Sequence, residues 1–151
     1  MLNPLKGWLI AMQMEIKCLI VEDVKSLHYF SIEYFGGSIQ YFPNTESKIE
    51  SILSQQYEYF GHDEYPTVYE KSAMLFYMFV KGHCFVDGNK RTGLGSMLKM
   101  FSINDYVDID PEYDWYEFAY SIAESKYRND DIKKYIKWIT EMLKTKFVRV
   151  V

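Results

Sequence analysis

The run AMLFYMFV, from Ala73 to Val80, constrains the chain more than any other stretch. A capping-box pattern, Thr67 with Glu70, opens the segment, and Lys81 closes it, which predicts a helix. A helix apolar on nearly every side has no face to offer water, so it belongs at the centre of a bundle with other elements around it. The adjoining stretch is unlike it: KGHCFVDGNKRTG, Lys81 to Gly93, crowds glycines, cations, a histidine, an aspartate and an asparagine into thirteen residues.

Periodicity elsewhere is helical. Glu22 to Phe35 carries Val24, Leu27, Ser31/Ile32 and Phe35 on one face and stops at Gly36-Gly37, a good terminator. GGSIQYFPN then reads as a loop or short hairpin broken by Pro43. Ser47 with Glu50 reads as a capping box for a helix striped by Ile49, Ile52, Leu53 and Tyr57 that closes near Gly61. Past the glycine-rich stretch, Leu94, Met97, Leu98 and Phe101 stripe another helix. Asp110-Pro111 reads as N-cap and first residue of the next, running to about Lys126, with EYDWYEFAY as core plus amphipathic surface. Ile132, Ile136, Ile139 and Leu143 stripe the last helix, and the tail KFVRVV is β-prone but isolated. The expectation is an all-α bundle of about six helices, with room for a short β-hairpin flap.

At 151 residues the chain fits one domain, and 48% apolar with 18% aromatic residues is enough to build a core and too much for disorder. Net charge is −4, which argues against sequence-independent binding to nucleic acid. Two cysteines, Cys18 and Cys84, make neither a disulfide framework nor a zinc pattern, so a reducing cytoplasm is expected. No run of 18 apolar residues occurs, so no membrane span is expected. Residues 1–14 read as a disordered extension or an upstream start, since Met12 and Met14 come shortly after Met1, and the patch Trp8 to Met12 is too short for a signal core. Residues 15–145 form the domain and 146–151 the tail.

Chemistry concentrates in the polar knot. Gly88 to Gly93 opens a helix, whose first turn has unpaired N–H groups and the positive end of the dipole. Gly88 permits close backbone approach, Asn89 caps or donates, and Lys90 and Arg91 suit phosphate oxygens. From Lys81 to Lys99 four basic residues meet one acid, a local +3. A solvated, capped helix start is the plainer alternative. Asp87 would repel a phosphate unless a divalent cation sits between them, and Mg²⁺ needs only one or two carboxylates beside phosphate oxygens; pairing with Lys90 or Arg91 is its plainer role. Histidine is the usual general base, and His83, four residues earlier, suits that role, although a lone histidine is more often structural. Phe85 reads as the anchor that pins the loop to the core. His28 reads as a satisfied core histidine and His62 as a loop residue; Gly93-x-Gly95 lacks the strand of a dinucleotide site.

Assembled, His83-x-Phe85-x-Asp87-Gly88-Asn89-Lys90-Arg91 closely resembles the signature of the Fic/Doc family, whose Fic branch reads His-Pro-Phe-x-Asp/Glu-Gly-Asn-Gly-Arg with a second arginine three residues on. VEDVKSLHYFSIEYFGG, TESKIESILSQ and EKSAMLFYMFVKGHCF resemble the helices leading to that signature, and the likeness extends over roughly residues 15 to 140. The resemblance implies a small helical bundle, ATP and Mg²⁺ as substrate and cofactor, and transfer to a hydroxyl of a target protein. It assigns His83 as base, Asp87 to metal and Gly88, Asn89, Lys90 and Arg91 to nucleotide phosphates.

Two departures separate the chain from the Fic pattern: Lys90 replaces its second glycine and Leu94 its second arginine. Both resemble the Doc (death-on-curing) toxin branch, which implies transfer of the terminal phosphate to a threonine of an elongation factor. AMP transfer and a non-catalytic nucleotide- or partner-binding module are the alternatives; Lys90, Arg91 and Lys99 leave nucleic-acid binding as a distant fourth. The family's inhibitory Ser/Thr-x-x-x-Glu-Gly/Asn motif is approached only by Ser54 and Glu58, where Tyr59 breaks it, so an antitoxin is expected in trans. Gly36 to Asn44 is the candidate for the flap that holds a target strand.

Overall fold

The computed structural model describes residues 3–6, 15–126 and 131–150. In chain order the elements are α1 (Val21–Phe35), α2 (Thr45–Ser54), α3 (Val68–Lys81), α4 (Asn89–Ile103), β1 (Tyr106–Asp108), α5 (Trp115–Glu124), α6 (Ile132–Leu143) and β2 (Phe147–Arg149). Residues 4–6 add a turn of helix, and residues 1–2 and 7–14 of the expected N-terminal extension lie outside the described residues.

Helix α3 is the centre. Thr67 accepts from the Glu70 N–H and Glu70 returns the bond to the Thr67 N–H, the reciprocal cap read from the sequence. From Ala73 to Tyr77, and again at Phe79 and Val80, every side chain is buried. Helices α2, α4, α5 and α6 pack around it, which is how a helix without a polar face is satisfied.

Helix α4 buries Met97 and Phe101 of the expected stripe but meets α3 on a face rotated from Leu94 and Leu98. Thr92, Gly93, Ser96, Met97, Met100 and Phe101 are buried, whereas Leu94 is half-buried and Leu98 exposed. Small residues decide this. A Cβ on Gly93 would stand 2.7 Å from Val80 Cγ2 and 3.0 Å from the Phe76 carbonyl oxygen, so glycine lets the two helix backbones approach closely. The lone GxG is thus a packing device.

Four further boundaries differ from the sequence reading. Helix α2 begins at Thr45, with Asn44 as N-cap, and Ser47 donates to the Asn44 carbonyl (3.0 Å) instead of capping. The helix stops at Ser54, well short of Gly61, because the Gln56 side chain turns inward to bracket Leu19, accepting from its N–H (2.9 Å) and donating to its carbonyl (3.0 Å). Asp110 does not cap a helix; its carboxylate takes Lys146 (2.6 Å), and Asp114 caps α5 by accepting from the Glu117 N–H (2.9 Å). The tail is not isolated: β2 pairs antiparallel with β1, and Phe147, 2% exposed, stacks on Phe101 at 4.0 Å. Phe35, expected in the core, is exposed at the end of α1.

The fold class expected from periodicity holds, a helical bundle with one small antiparallel sheet. Among the described residues no helix is long and apolar enough to cross a membrane.

Candidate active site

The polar knot links α3 to α4 and is tied down on both sides by elements distant in sequence. Helix α3 ends at Gly82, and His83 then takes a left-handed backbone, φ 48°, a conformation that residues with a Cβ rarely adopt. Its side chain is exposed. Phe85 turns the other way, into the core, at 1% exposure. It stacks on His28 of α1 (3.9 Å between centroids, 7° between planes) and tilts against Tyr41 (5.5 Å). Cys84 beside it is buried, and burial pushes its thiol up to about 11, so it is no nucleophile at neutral pH.

Asn89 holds Phe85 by both backbone groups: its Oδ1 accepts from the Phe85 N–H (3.0 Å) and its Nδ2 donates to the Phe85 carbonyl (2.9 Å). One amide side chain thereby closes the loop. Gly88 caps α4 from the left-handed region, φ 81°, and a Cβ there would meet His28, Ser31 and Ile32 of α1 at 3.2–3.4 Å. Only glycine satisfies both conditions. No side chain caps α4, and its first turn holds no acid, which leaves the electropositive end of the helix to an external anion.

The Asp87 carboxylate is exposed just before the helix start. Its Oδ2 accepts from the Ser38 N–H (3.2 Å) and its Oδ1 from the Gly88 N–H (2.9 Å). These two N–H groups, with Arg91 and His28 beyond, hold the carboxyl below the usual carboxylate range. Gly37 permits the approach: at φ 114°, a Cβ on it would stand 2.5 Å from Asp87 Oδ2.

The cations divide. Arg91 donates to the Ser31 carbonyl (2.8 Å) and the Gly36 carbonyl (3.2 Å), closing the end of α1, and lies over the Phe35 ring (5.5 Å). Lys81 donates to the Ala123 carbonyl (3.2 Å) at the end of α5, and Lys99 pairs with Asp23 (3.0 Å). Lys90 has no hydrogen bond or ion pair among the described residues; its ammonium lies 5.8 Å from the Tyr120 ring. Of the four cations behind the +3 counted along the sequence, only Lys90 and Arg91 stand at the site, where Asp87 leaves a balance of +1. Beside Arg91 a groove of about 580 Å³ runs between α1 and α4, lined by Phe30, Tyr34, Phe35, Leu94 and Leu98.

The loop from residue 36 to 44 is not a hairpin. It runs extended along the knot, and Tyr41 faces Phe85 as a single antiparallel backbone pair. His28 is the satisfied core histidine expected, at 1% exposure, but its partner ties it to the site: Nε2 donates to the Asp87 carbonyl (2.9 Å). A carbonyl only accepts, so the proton is on Nε2. Ser38, Thr45 and Lys48 also reach the knot, and no local pattern in the sequence marks them.

Burial lowers the His28 pKa, partly offset by its bond to Asp87. The unfolded chain therefore takes the proton first, so this contribution to stability is full above the ordinary value of 6.5 and shrinks as pH falls below it. Urea unfolding should show a lower midpoint at about pH 5.5 than at about pH 7.5, and His28→Gln should flatten that difference.

The sequence model of the Fic/DOC family matches residues 18–101, which span α1 to α4 and the whole knot. The chain belongs to the Fic/DOC family. Members are in general nucleotidyl or phosphoryl transferases. A search of curated proteins returned no match. In this Fic/DOC chain the residues 83 to 91 are thus gathered at one helix N-terminus, between α1 and the loop that leaves it.

Proposed function

We propose that the protein transfers the terminal phosphate of ATP to a serine or threonine hydroxyl of a target protein, in the manner of the Doc branch. The observation that carries this reading is Lys90. It is a cation without a carboxylate or carbonyl partner among the described residues, on the first turn of a helix with no acid cap. A lysine there adds a charge and bulk where a glycine would leave room. Leu94, half-buried on the apolar groove, supplies no second clamp. Both changes favour a different phosphate in the turn from the one an AMP transferase holds.

In this mechanism the N–H groups opening α4, with Lys90 and the guanidinium donors of Arg91 not spent on α1, bind the phosphates. Among the described residues no group of three or more His, Cys, Asp or Glu forms a metal cage. One exposed, ionised carboxylate beside a phosphate site is nevertheless a sufficient protein contribution for Mg²⁺, so Asp87 fits as its ligand. Bound there, Mg²⁺ supplies neutralisation of phosphate charge. His83 takes the proton from the target hydroxyl as its oxygen bonds to the γ-phosphorus. The bond from that phosphorus to the β–γ bridging oxygen breaks, ADP leaves with the electron pair, and His83 later releases the proton to solvent. The extended loop 36–44, with Tyr41 already paired to Phe85, is the surface we assign to the target chain. An elongation factor as target, an antitoxin in trans and a cytoplasmic setting belong to the same reading. Ser54 and Glu58 approach the inhibitory motif, but Tyr59 breaks it, which supports inhibition by a partner in trans.

ATP labelled separately on its α and γ phosphates, incubated with the protein and a cell lysate, decides the matter. Label from γ should appear on protein and label from α should not. Transfer of α label alone replaces the kinase reading with AMP transfer.

A further inference from the structure

The segment that carries His83 leaves α3 through three successive carbonyls, those of Gly82, His83 and Cys84, and all three accept from α2. Lys48 Nζ lies 3.3 Å from the Gly82 oxygen and 3.4 Å from the His83 oxygen. Thr45, three residues earlier and so on the same face of α2, donates its hydroxyl to the Cys84 carbonyl. The Thr45 oxygen also accepts from the Phe42 N–H (2.9 Å), tying the extended loop to the same point. We infer that Lys48 is a positioning residue for His83, holding its backbone in the left-handed conformation from which the imidazole is presented.

The reasoning starts from the strain at residue 83. A left-handed residue with a Cβ persists only where its surroundings over-determine it. The exposed His83 side chain supplies no packing of that kind. The groups that act on its backbone are the preceding helix end and the half-buried Lys48 ammonium. Without Lys48, the Gly82 and His83 carbonyls lose their donor, and the peptide planes can rotate to relieve φ. The imidazole then moves, since its direction is set by that same Cα. A lysine serving only as counter-charge for the C-terminal end of α3 would affect stability alone. Nothing in Lys48 touches a reacting group, so its effect passes through His83. The inference rests on the reading of His83 as base.

Three variants of the full chain separate these roles: Lys48→Met, which keeps the stem, Lys48→Arg, which keeps donors, and His83→Ala. Transfer of γ-labelled phosphate to lysate protein is measured against ATP concentration, and the backbone chemical shifts of residue 83, which report φ, are recorded by NMR. Lys48→Met should lower apparent kcat by roughly 10- to 100-fold, the scale of a catalytic group displaced by about an ångström. KM for ATP should stay within about threefold, because phosphate binding is left alone. Lys48→Arg should recover most of the rate, and the residue 83 shifts should move in the methionine variant only. If Lys48→Met does not fold, Lys48→Gln serves in its place. Wild-type shifts and kcat in Lys48→Met, with His83→Ala inactive, overturn the role of Lys48 and leave the site reading intact. An active His83→Ala overturns both.

Discussion

Replacing His83 with alanine should lower phosphate transfer by roughly 10²- to 10⁴-fold, the range that general base catalysis contributes, while the protein remains folded. The side chain is exposed and packs against nothing in the core, so its removal leaves no cavity. A sharper form of the experiment uses glycine. The left-handed backbone at residue 83 costs a residue with a Cβ about 1 kcal/mol or more, and glycine adopts it freely. His83→Gly should therefore melt above the wild type and still be inactive. Higher thermal stability together with lost transfer cannot come from unfolding, which makes this variant a cleaner witness than alanine. A glycine variant that keeps its rate would remove His83 from the mechanism.

Phe85→Ala should be the most damaging change in the loop, costing about 3–5 kcal/mol of stability. The ring is 1% exposed and fills the space between His28 and Tyr41. Its loss leaves a cavity, unstacks His28, and frees the loop from the core at the residue that Asn89 brackets. Because His83 and Asp87 flank Phe85 by two residues on either side, activity should fall further than the folded fraction does. Denaturant titration gives the stability loss, and γ-label transfer at a temperature where the variant is still folded gives the remainder. A loss below about 1 kcal/mol would mean that the loop is held by its hydrogen bonds and not by this anchor.

How much of this was legible in the sequence depended on distance along the chain. The catalytic candidates were legible because they are nearly consecutive: His83, Phe85, Asp87 and Gly88 to Arg91 lie in one loop and turn. The central helix was legible because burial on all sides leaves a compositional trace from Ala73 to Val80. The surroundings of the loop were not, because each tie joins residues far apart: His28 to Asp87, Ser38 to Asp87, Thr45 to Cys84 and Lys48 to His83. Periodicity carries no information about such pairs. The face of α4 was legible only in part, for a related reason. Apolarity marks Met97 and Phe101, which are buried, but also Leu94 and Leu98, where close approach to α3 selects the small residues Gly93 and Ser96 instead. The helix expected from Asp110 forms but starts later, at Trp115, with the Asp110 carboxylate taken by Lys146, and the tail is not isolated because its partner strand lies far back in the chain, at Tyr106–Asp108.

The pairing of that tail bears on how the protein is made. Every residue assigned to the site lies before α5, so the whole signature is made before the strand β2. Phe101, at the far end of α4, meets the Tyr69 and Tyr106 rings, and its cover is completed when Phe147 stacks on it and β2 docks on β1. A fragment lacking Phe147–Arg149 thus keeps the whole signature without part of its scaffold, and its transfer activity should fall below that of the full chain.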